Sequence, residues 1–339
     1  MKSQISPKFL NEKLKNTRLL FVYPEYSHSR AIEENNRCQR LQGLGLHSEA
    51  VGIPCKNWLH FSELDTALKE RSENITIPYD KILHKIDSFD VLVANGGSMV
   101  HPWLVEQVQK AGKRCAFVCC DDPESSEFLS KPVAKYFDTC LVINIACVDD
   151  YRHWGVKNPL PFFHPIPENC LNSNIDEKQI MSQERDIDLC FLGERIYGLS
   201  DRHKRVEMFK GVFPQMIIRG SGWPRGHTNT PQIIYRRTKI GLNLHNSLGP
   251  CNSRLVHLPA MGVMQLCDNK SRLSSYFELN KEIVGFESIP EGIELVHYYL
   301  SYPEERIRIA TAGWRRAWDN YTERQWFLAI AKAAIFHKL

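Results

Sequence analysis

Residues 239–268 read KIGLNLHNSLGPCNSRLVHLPAMGVMQLCD, and their pattern changes three times. Ile240, Leu242 and Leu244 predict a short buried strand. Residues 246–252 are a polar loop with glycine and proline, and residues 253–261 predict a helix that Gly262 stops. Residues 263–266 return as a second strand, closed by Cys267 and Asp268. The helix therefore starts at the carboxyl end of a parallel strand. Unpaired N–H groups and the positive end of the helix dipole favour an anion there. Every doubly wound protein has helix starts in such places, so the geometry alone names no ligand. Arg254 in the first turn adds a full charge. The whole suits a diphosphate, and with it group transfer from a nucleotide-activated donor.

The N-terminal half has the same alternation. Residues 18–23, 50–53, 89–94, 115–119 and 139–143 predict strands, with helical patterns between them. That calls for a parallel sheet with helices on both faces. Functional residues of such a sheet gather at the strand carboxyl ends, here the loops 24–30, 95–98, 121–124 and 144–147. Asp122 is expected to cap a helix that begins with Pro123. The sequence after RLLFVY (18–23) is PEYSHS, with no G-x-G-x-x-G, which argues against a nicotinamide dehydrogenase.

The chain has 339 residues, enough for two domains of about 150 residues each. The segment KNPLPFFHPIPENC (157–170) holds four prolines, which break helix and strand and give a stiff extended connection. The expected layout is a first domain over 1–160, a linker over 161–185, a second domain over 186–320 and a final helix over 321–339 that crosses back to the first. Residues 171–185 read as a surface stretch, and His164 in the linker is a possible sugar contact. Ser288–Glu291 and Ser301–Glu304 both read as capping boxes with proline in the first turn.

Charge and cysteine usage exclude some classes. With 43 basic against 39 acidic residues, the net charge of +4 is too small to argue for nucleic-acid binding. The runs Arg202-His203-Lys204-Arg205 and Arg236-Arg237 read as solvated helix faces. Eleven cysteines without framework or zinc spacing suggest reduced, buried thiols in a cytoplasmic protein. The N-terminus lacks a signal-peptide apolar core, and no run approaches the length of a membrane span, so no membrane partner is expected.

Five stretches together carry a family resemblance: IDLCFLGERIYGLSDRHKRVEMF (187–209), MIIRGSGWP (216–224), IIYRRTKIGLNLH (233–245), NSRLVHLPAMGVMQLCD (252–268) and the segment 282–327. In order and spacing they resemble the C-terminal domain of GT-B glycosyltransferases, in particular the group similar to the spore-maturation CgeB proteins. The resemblance implies an α/β GT-B fold, two Rossmann-like doubly wound domains facing across a cleft. It implies transfer of a sugar from a nucleotide-sugar to a hydroxyl of a glycan, small molecule, protein or modified nucleobase. It also implies retention at the anomeric carbon, and no metal or other cofactor. Asp186 and Asp188 form a literal D-x-D, but they precede a strand and read as its polar lead-in.

The donor-side candidates follow. Arg254 is the expected diphosphate ligand, with the N–H groups of Ser253 and Arg254 beside it. Asn252 is a cap or phosphate contact, and Asn246 and Ser247 could orient the phosphates or sugar. Gly193 allows close approach of the donor, and Arg195 is a second phosphate cation. Gly222 and Trp223 fall where the family's base-binding loop lies. Most members of the group have a glutamate at His257, expected to bond the donor ribose; a histidine supplies no fixed negative charge. On the acceptor side, Asp121 with Asp122 resembles the group's Asp-Asp-Pro element. An inverting enzyme would need a base, for which Asp121, Glu25 and His28 are the candidates. The competing readings are a nucleotide-sugar epimerase and a degenerate binding protein of the same fold.

Overall fold

The computed structural model describes residues 12–55, 60–96, 99–166, 176–195, 200–247, 249 and 252–337. The N-terminal eleven residues, Gly97 and Ser98 of the expected loop 95–98, residues 167–175 of the expected linker, and residues 248, 250 and 251 lie outside them. Contacts divide the chain into one unit of Met1–Phe163 with Arg324–Leu339, and a second of His164–Glu323.

The first unit holds β1 (Leu19–Glu25), β2 (Ser48–Pro54), β3 (Val91–Asn95), β4 (Arg114–Cys119), β5 (Thr139–Val142) and β6 (Pro159–Pro161). They form one sheet in the order β2-β1-β3-β4-β5-β6, and every neighbouring pair is parallel. The helices are α1 (His28–Gly43), α2 (Phe61–Lys69), α3 (Glu73–His84), α4 (Pro102–Lys110) and α5 (Val148–His153). The central strands are continuous apolar runs, as a sheet buried on both faces requires.

The second unit holds α6 (Glu177–Ser182), β7 (Ile187–Leu192), α7 (Arg202–Val212), β8 (Ile217–Arg219), α8 (Pro231–Arg237), β9 (Thr238–Asn243), α9 (Arg254–Ala260), β10 (Met264–Cys267), α10 (Lys270–Leu273), β11 (Val284–Gly285), α11 (Ile289–Ser301) and α12 (Pro303–Asn320). Its sheet runs β11-β10-β9-β7-β8, again all parallel. The last helix, α13 (Glu323–Phe336), packs on the first sheet, where Trp326 stacks on Phe21 at 5.4 Å.

The two sheets share one topology. In each, the first strand lies between the second and the third. Strand order therefore reverses between β1 and β3 in one unit and between β7 and β9 in the other. Ligands of open α/β sheets bind outside the strand carboxyl ends at such switch points.

Several expectations need correction. Pro159–Pro161, expected to be an extended connection in which proline breaks strand, is the edge strand β6, in register with Cys140, Leu141 and Val142. Phe162 N donates to Val142 O at 2.8 Å, so the ladder-facing donors alternate with the prolines, whose missing N–H groups fall on the open side. Within the expected surface stretch 171–185, Glu177–Ser182 is a helix, because Asp176 and Gln179 form a capping box. No helix starts at Pro123. Asp122 instead accepts from Ser130 Oγ at 2.8 and 2.9 Å and from the Tyr151 hydroxyl at 2.6 Å, leaving its carboxylate unavailable as a cap. Ser288 caps α11 as expected, accepting from Glu291 N. Ser301 does not cap α12: it is the last residue of α11 and its hydroxyl donates back to His297 O.

Candidate functional site

At the switch point of the second sheet, three arginines converge on the ends of β7 and β9. Arg254 opens α9 and its guanidinium reaches backwards. NH1 donates to Leu192 O and NH2 to Leu244 O, each at 3.0 Å, and Nε donates to Asn243 Oδ1 at 3.1 Å. The guanidinium lies 5.0 Å from the centre of the Phe191 ring. Asn243 is fully buried, also accepts from Asn252 Nδ2 at 2.9 Å and donates to Gln265 Oε1 at 2.7 Å. This chain of amides fixes the start of α9 to the sheet.

The other two arginines correct the sequence reading of 202–205. In that run Lys204 is exposed and pairs with Asp201, as a solvated face would. Arg202 and Arg205, three apart in the first turn of α7, face inward. Arg202 is buried and donates to Glu194 O at 2.7 Å. Arg205 donates to Asp268 Oδ2 at 2.8 Å and to His245 O at 2.5 Å. Burial, then the charges of Arg254 and Arg205, pull the Arg202 pKa down to about 10. Cations in the first turn of a helix oppose its dipole. That conflict was the signal in the sequence. It makes sense where an anion is to be held.

Three buried polar atoms near these arginines lack a hydrogen-bond partner among the described residues: His245 Nε2, Ser247 Oγ and Asn252 Oδ1. Unsatisfied buried groups are few in native proteins and ask for a ligand or water. All three belong to or flank the loop after β9. Asn246, by contrast, accepts from Ser200 Oγ at 2.9 Å.

The glycines hold the neighbouring loops close. A Cβ on Gly193 would lie 2.7 Å from Arg254 NH1 and 3.0 Å from Phe191. Gly220, at φ +145°, brings its own Cα so near Gly193 that a Cβ would meet the Gly193 oxygen at 2.1 Å. Trp223 is buried in the core, where its indole N–H donates to Gly193 O at 2.8 Å and the Arg195 guanidinium lies 5.0 Å from the ring centre. Arg195 also bonds Glu207 Oε1 at 2.5 Å. Trp223 and Arg195 line a cavity of about 340 Å³ with Lys210, Arg219, Pro224 and Arg225. Gly222, at φ +80°, lets the turn pass Arg195.

His257 lies on α9 with Nε2 3.4 Å from Pro165 O. Burial of the ring, then His164 and Arg254, pull its pKa down to about 4, so the imidazole is neutral at pH 7. Asp186 and Asp188 bond Arg237 and Lys239 at the amino end of the sheet, away from the arginine cluster.

In the first unit, Glu25 ends β1, His28 opens α1 on the exposed surface, and Asp121 follows β4. Glu25 accepts from the Tyr23 hydroxyl at 3.3 Å, and Gly52 leaves room for its carboxylate. Burial, then the neighbouring Asp122, push the Asp121 pKa up to about 6; Arg30 counters this in part. The sequence reading missed the group beside them. Glu34 is fully buried in α1 between Arg30 at 2.6 Å and Arg37 at 2.7 Å, and Asn95 at the end of β3 donates to it at 3.4 Å. This network spans the first switch point. A larger hollow of about 780 Å³, lined by Asp90 and Arg114 among others, opens at the amino ends of β3 and β4, where α/β sheets do not bind their ligands.

His245, Cys267 and Asp268 place ligand atoms within 4.8 Å of one another. Both Asp268 oxygens are engaged, by His245 Nδ1 and by Arg205, and Arg254 and Arg202 act on the same histidine. The donor set thus faces positive charge, which disfavours a cation.

Residues 201–332 match the family model described as "Glycosyl transferase-like". No curated protein matches the chain by sequence. Solved structures similar in fold include HepE from Anabaena in complex with UDP and glucose, at 10% identity and TM-score 0.61, covering 94% of this chain and 99% of that one. A glycosyltransferase from Rickettsia africae shares 11% identity with TM-score 0.62 over 95% and 100% of the two chains. Sucrose-phosphate synthase from Thermosynechococcus elongatus shares 9% identity with TM-score 0.63 over 92% and 96%. At such identities the likeness speaks for the fold. Two parallel-sheet α/β units in this arrangement of strands make it the GT-B fold.

Proposed function

We propose that the protein is a glycosyltransferase that moves a sugar from a nucleotide-sugar to a hydroxyl acceptor, its second unit holding the nucleoside diphosphate. The observation that carries this is the convergence of Arg202, Arg205 and Arg254 on the switch point, beside buried polar atoms without partners. A departing nucleoside diphosphate develops negative charge, and preorganised cations in a water-poor site stabilise it. The glycosyl transferase-like model over 201–332 covers these residues, and HepE is a fold neighbour solved with UDP and with UDP-glucose.

The finer reading is a hexosyltransferase of the CgeB-like kind, retaining and independent of metal. The arginine cluster supports the last point, since it supplies the positive charge a metal would otherwise bring. Asp121, with its pKa near 6, is the acid–base candidate in the first unit. The nine described cysteines are thiols outside any disulfide, seven of them buried, which fits a reducing cytoplasm. One observation favours a second reading, a degenerate binding protein: the neutral His257 where the group has a glutamate.

The test is release of UDP from UDP-glucose, UDP-galactose and UDP-N-acetylglucosamine, followed for the wild type and Asp121→Asn. Turnover of one donor, strongly reduced in the variant, supports the transferase. Nucleotide binding with no turnover of any donor favours the degenerate protein.

A further inference from the structure

His245 follows β9 and is 1% exposed. Its Nδ1 lies 2.6 Å from Asp268 Oδ1, and its backbone N–H donates to Asp268 Oδ2 at 2.9 Å. Arg205 closes the group, bonding Asp268 Oδ2 and the His245 carbonyl. A nitrogen facing a carboxylate at that distance carries the proton, so the neutral ring has its lone pair on Nε2. That atom is buried without a partner.

The charges around the ring come from three elements. Asp268 after β10 favours the imidazolium, while Arg254 on α9 and Arg202 on α7 oppose it. Arg205, also on α7, is spent on Asp268, and Cys267 is the remaining titratable neighbour. Burial and the two guanidinium groups hold the pKa below the usual histidine value. An anion held by the same guanidinium groups would reverse this balance. It would cancel their repulsion and offer an acceptor to a protonated Nε2.

We infer that His245 is itself a ligand of the bound diphosphate, taking one proton from solvent at Nε2 as the anion arrives and donating that N–H to a phosphate oxygen. The inference rests on the reading of this cluster as the diphosphate site. Asp268 is the positioning residue that fixes the tautomer. Binding is then coupled to proton uptake, and affinity falls as pH rises above neutrality.

Calorimetric titrations with UDP and with inorganic pyrophosphate at pH 7.5, in two buffers of different ionisation enthalpy, count the protons exchanged. The wild type is expected to take up a substantial fraction of a proton. The terminal phosphate of UDP, whose second pKa is about 6, exchanges with the opposite sign and at lower pH. His245→Asn keeps an amide within reach of Asp268 but cannot be protonated. It should lose the uptake and bind about tenfold more weakly. His245→Gln, whose amide reaches towards the Nε2 position, should bind closer to wild type without uptake. Unchanged affinity in folded His245→Asn, or binding by the wild type without proton exchange, overturns the inference. If pyrophosphate binds with uptake but UDP does not bind, His245 stands as an anion ligand and the nucleotide-sugar reading fails. If neither binds, both fail.

Discussion

Arg254 donates from NH1 to the carbonyl oxygen of Leu192, 62 residues earlier in the chain, at 3.0 Å. The bond ties the start of α9 to the end of β7, and its companion to Leu244 O ties it to the end of β9. Arg254 therefore spans the switch point as a strut as well as supplying charge. Replacing it by alanine leaves buried carbonyls without donors, at a cost of about 2–4 kcal/mol. The melting temperature should fall by roughly 4–12 °C, read by circular dichroism without ligand. Arg254→Lys should recover little of this, because an ammonium cannot reproduce the fork of bonds.

Gly193→Ala tests the close approach without removing a charge. The new Cβ must displace either the Arg254 guanidinium or the Phe191 ring. A loss of about 1–3 kcal/mol in stability and a weakened response to nucleoside diphosphates are expected. Thermal unfolding with and without UDP measures both.

Asp121 gives a pH dependence of defined sign. Its pKa is about 6 in the folded protein against about 3.9 unfolded. The folded state thus holds the proton more tightly, and stability from this group is lost as pH rises from about 4 to about 6. Asp121→Asn should match the wild type near pH 4 and exceed it by at most about 3 kcal/mol above pH 7. Urea unfolding at several pH values reads the difference. If Asp121 is the acid–base group, the same substitution abolishes turnover.

His257 acts in the opposite direction. Its pKa falls from about 6.5 to about 4 on folding, so the folded state resists protonation. Its contribution is intact above pH 6.5 and is lost as pH falls towards 4, by at most about 3 kcal/mol. His257→Gln should flatten this acid limb while leaving stability at pH 8 within about 1 kcal/mol, as unfolding curves across that range would show.

Much of the second unit was legible because its signals are local. The strand, loop, helix and strand of 239–268 are written in apolar spacing and a terminal glycine, and Arg254 stood out by its place in the first turn. Gly193 directly follows β7, and Gly222 and Trp223 lie in the turn after β8. What escaped depends on partners far away in sequence. Arg202 and Arg205 look like a solvated run because nothing local reveals that Arg205 meets Asp268, 63 residues on. Glu34 reads as one polar residue of a polar helix until Arg30, Arg37 and Asn95 close on it. Asp122 has every local mark of a helix cap, yet Ser130 and Tyr151 take its oxygens. The prolines of 159–161 forbid a central strand but not an edge one, and edge position is a property of the whole sheet.

The most direct test is a calorimetric titration of the wild type and of Arg202→Gln with UDP, GDP, dTDP, ADP and CMP. Arg202 is buried, donates to the neutral carbonyl of Glu194 and sits beside the like charges of Arg254 and Arg205, so an anion held by the cluster should feel its loss. The account predicts that one nucleoside diphosphate binds the wild type and binds folded Arg202→Gln at least about tenfold more weakly. No binding of any of them at millimolar concentration, or equal affinity in the two proteins, would contradict it.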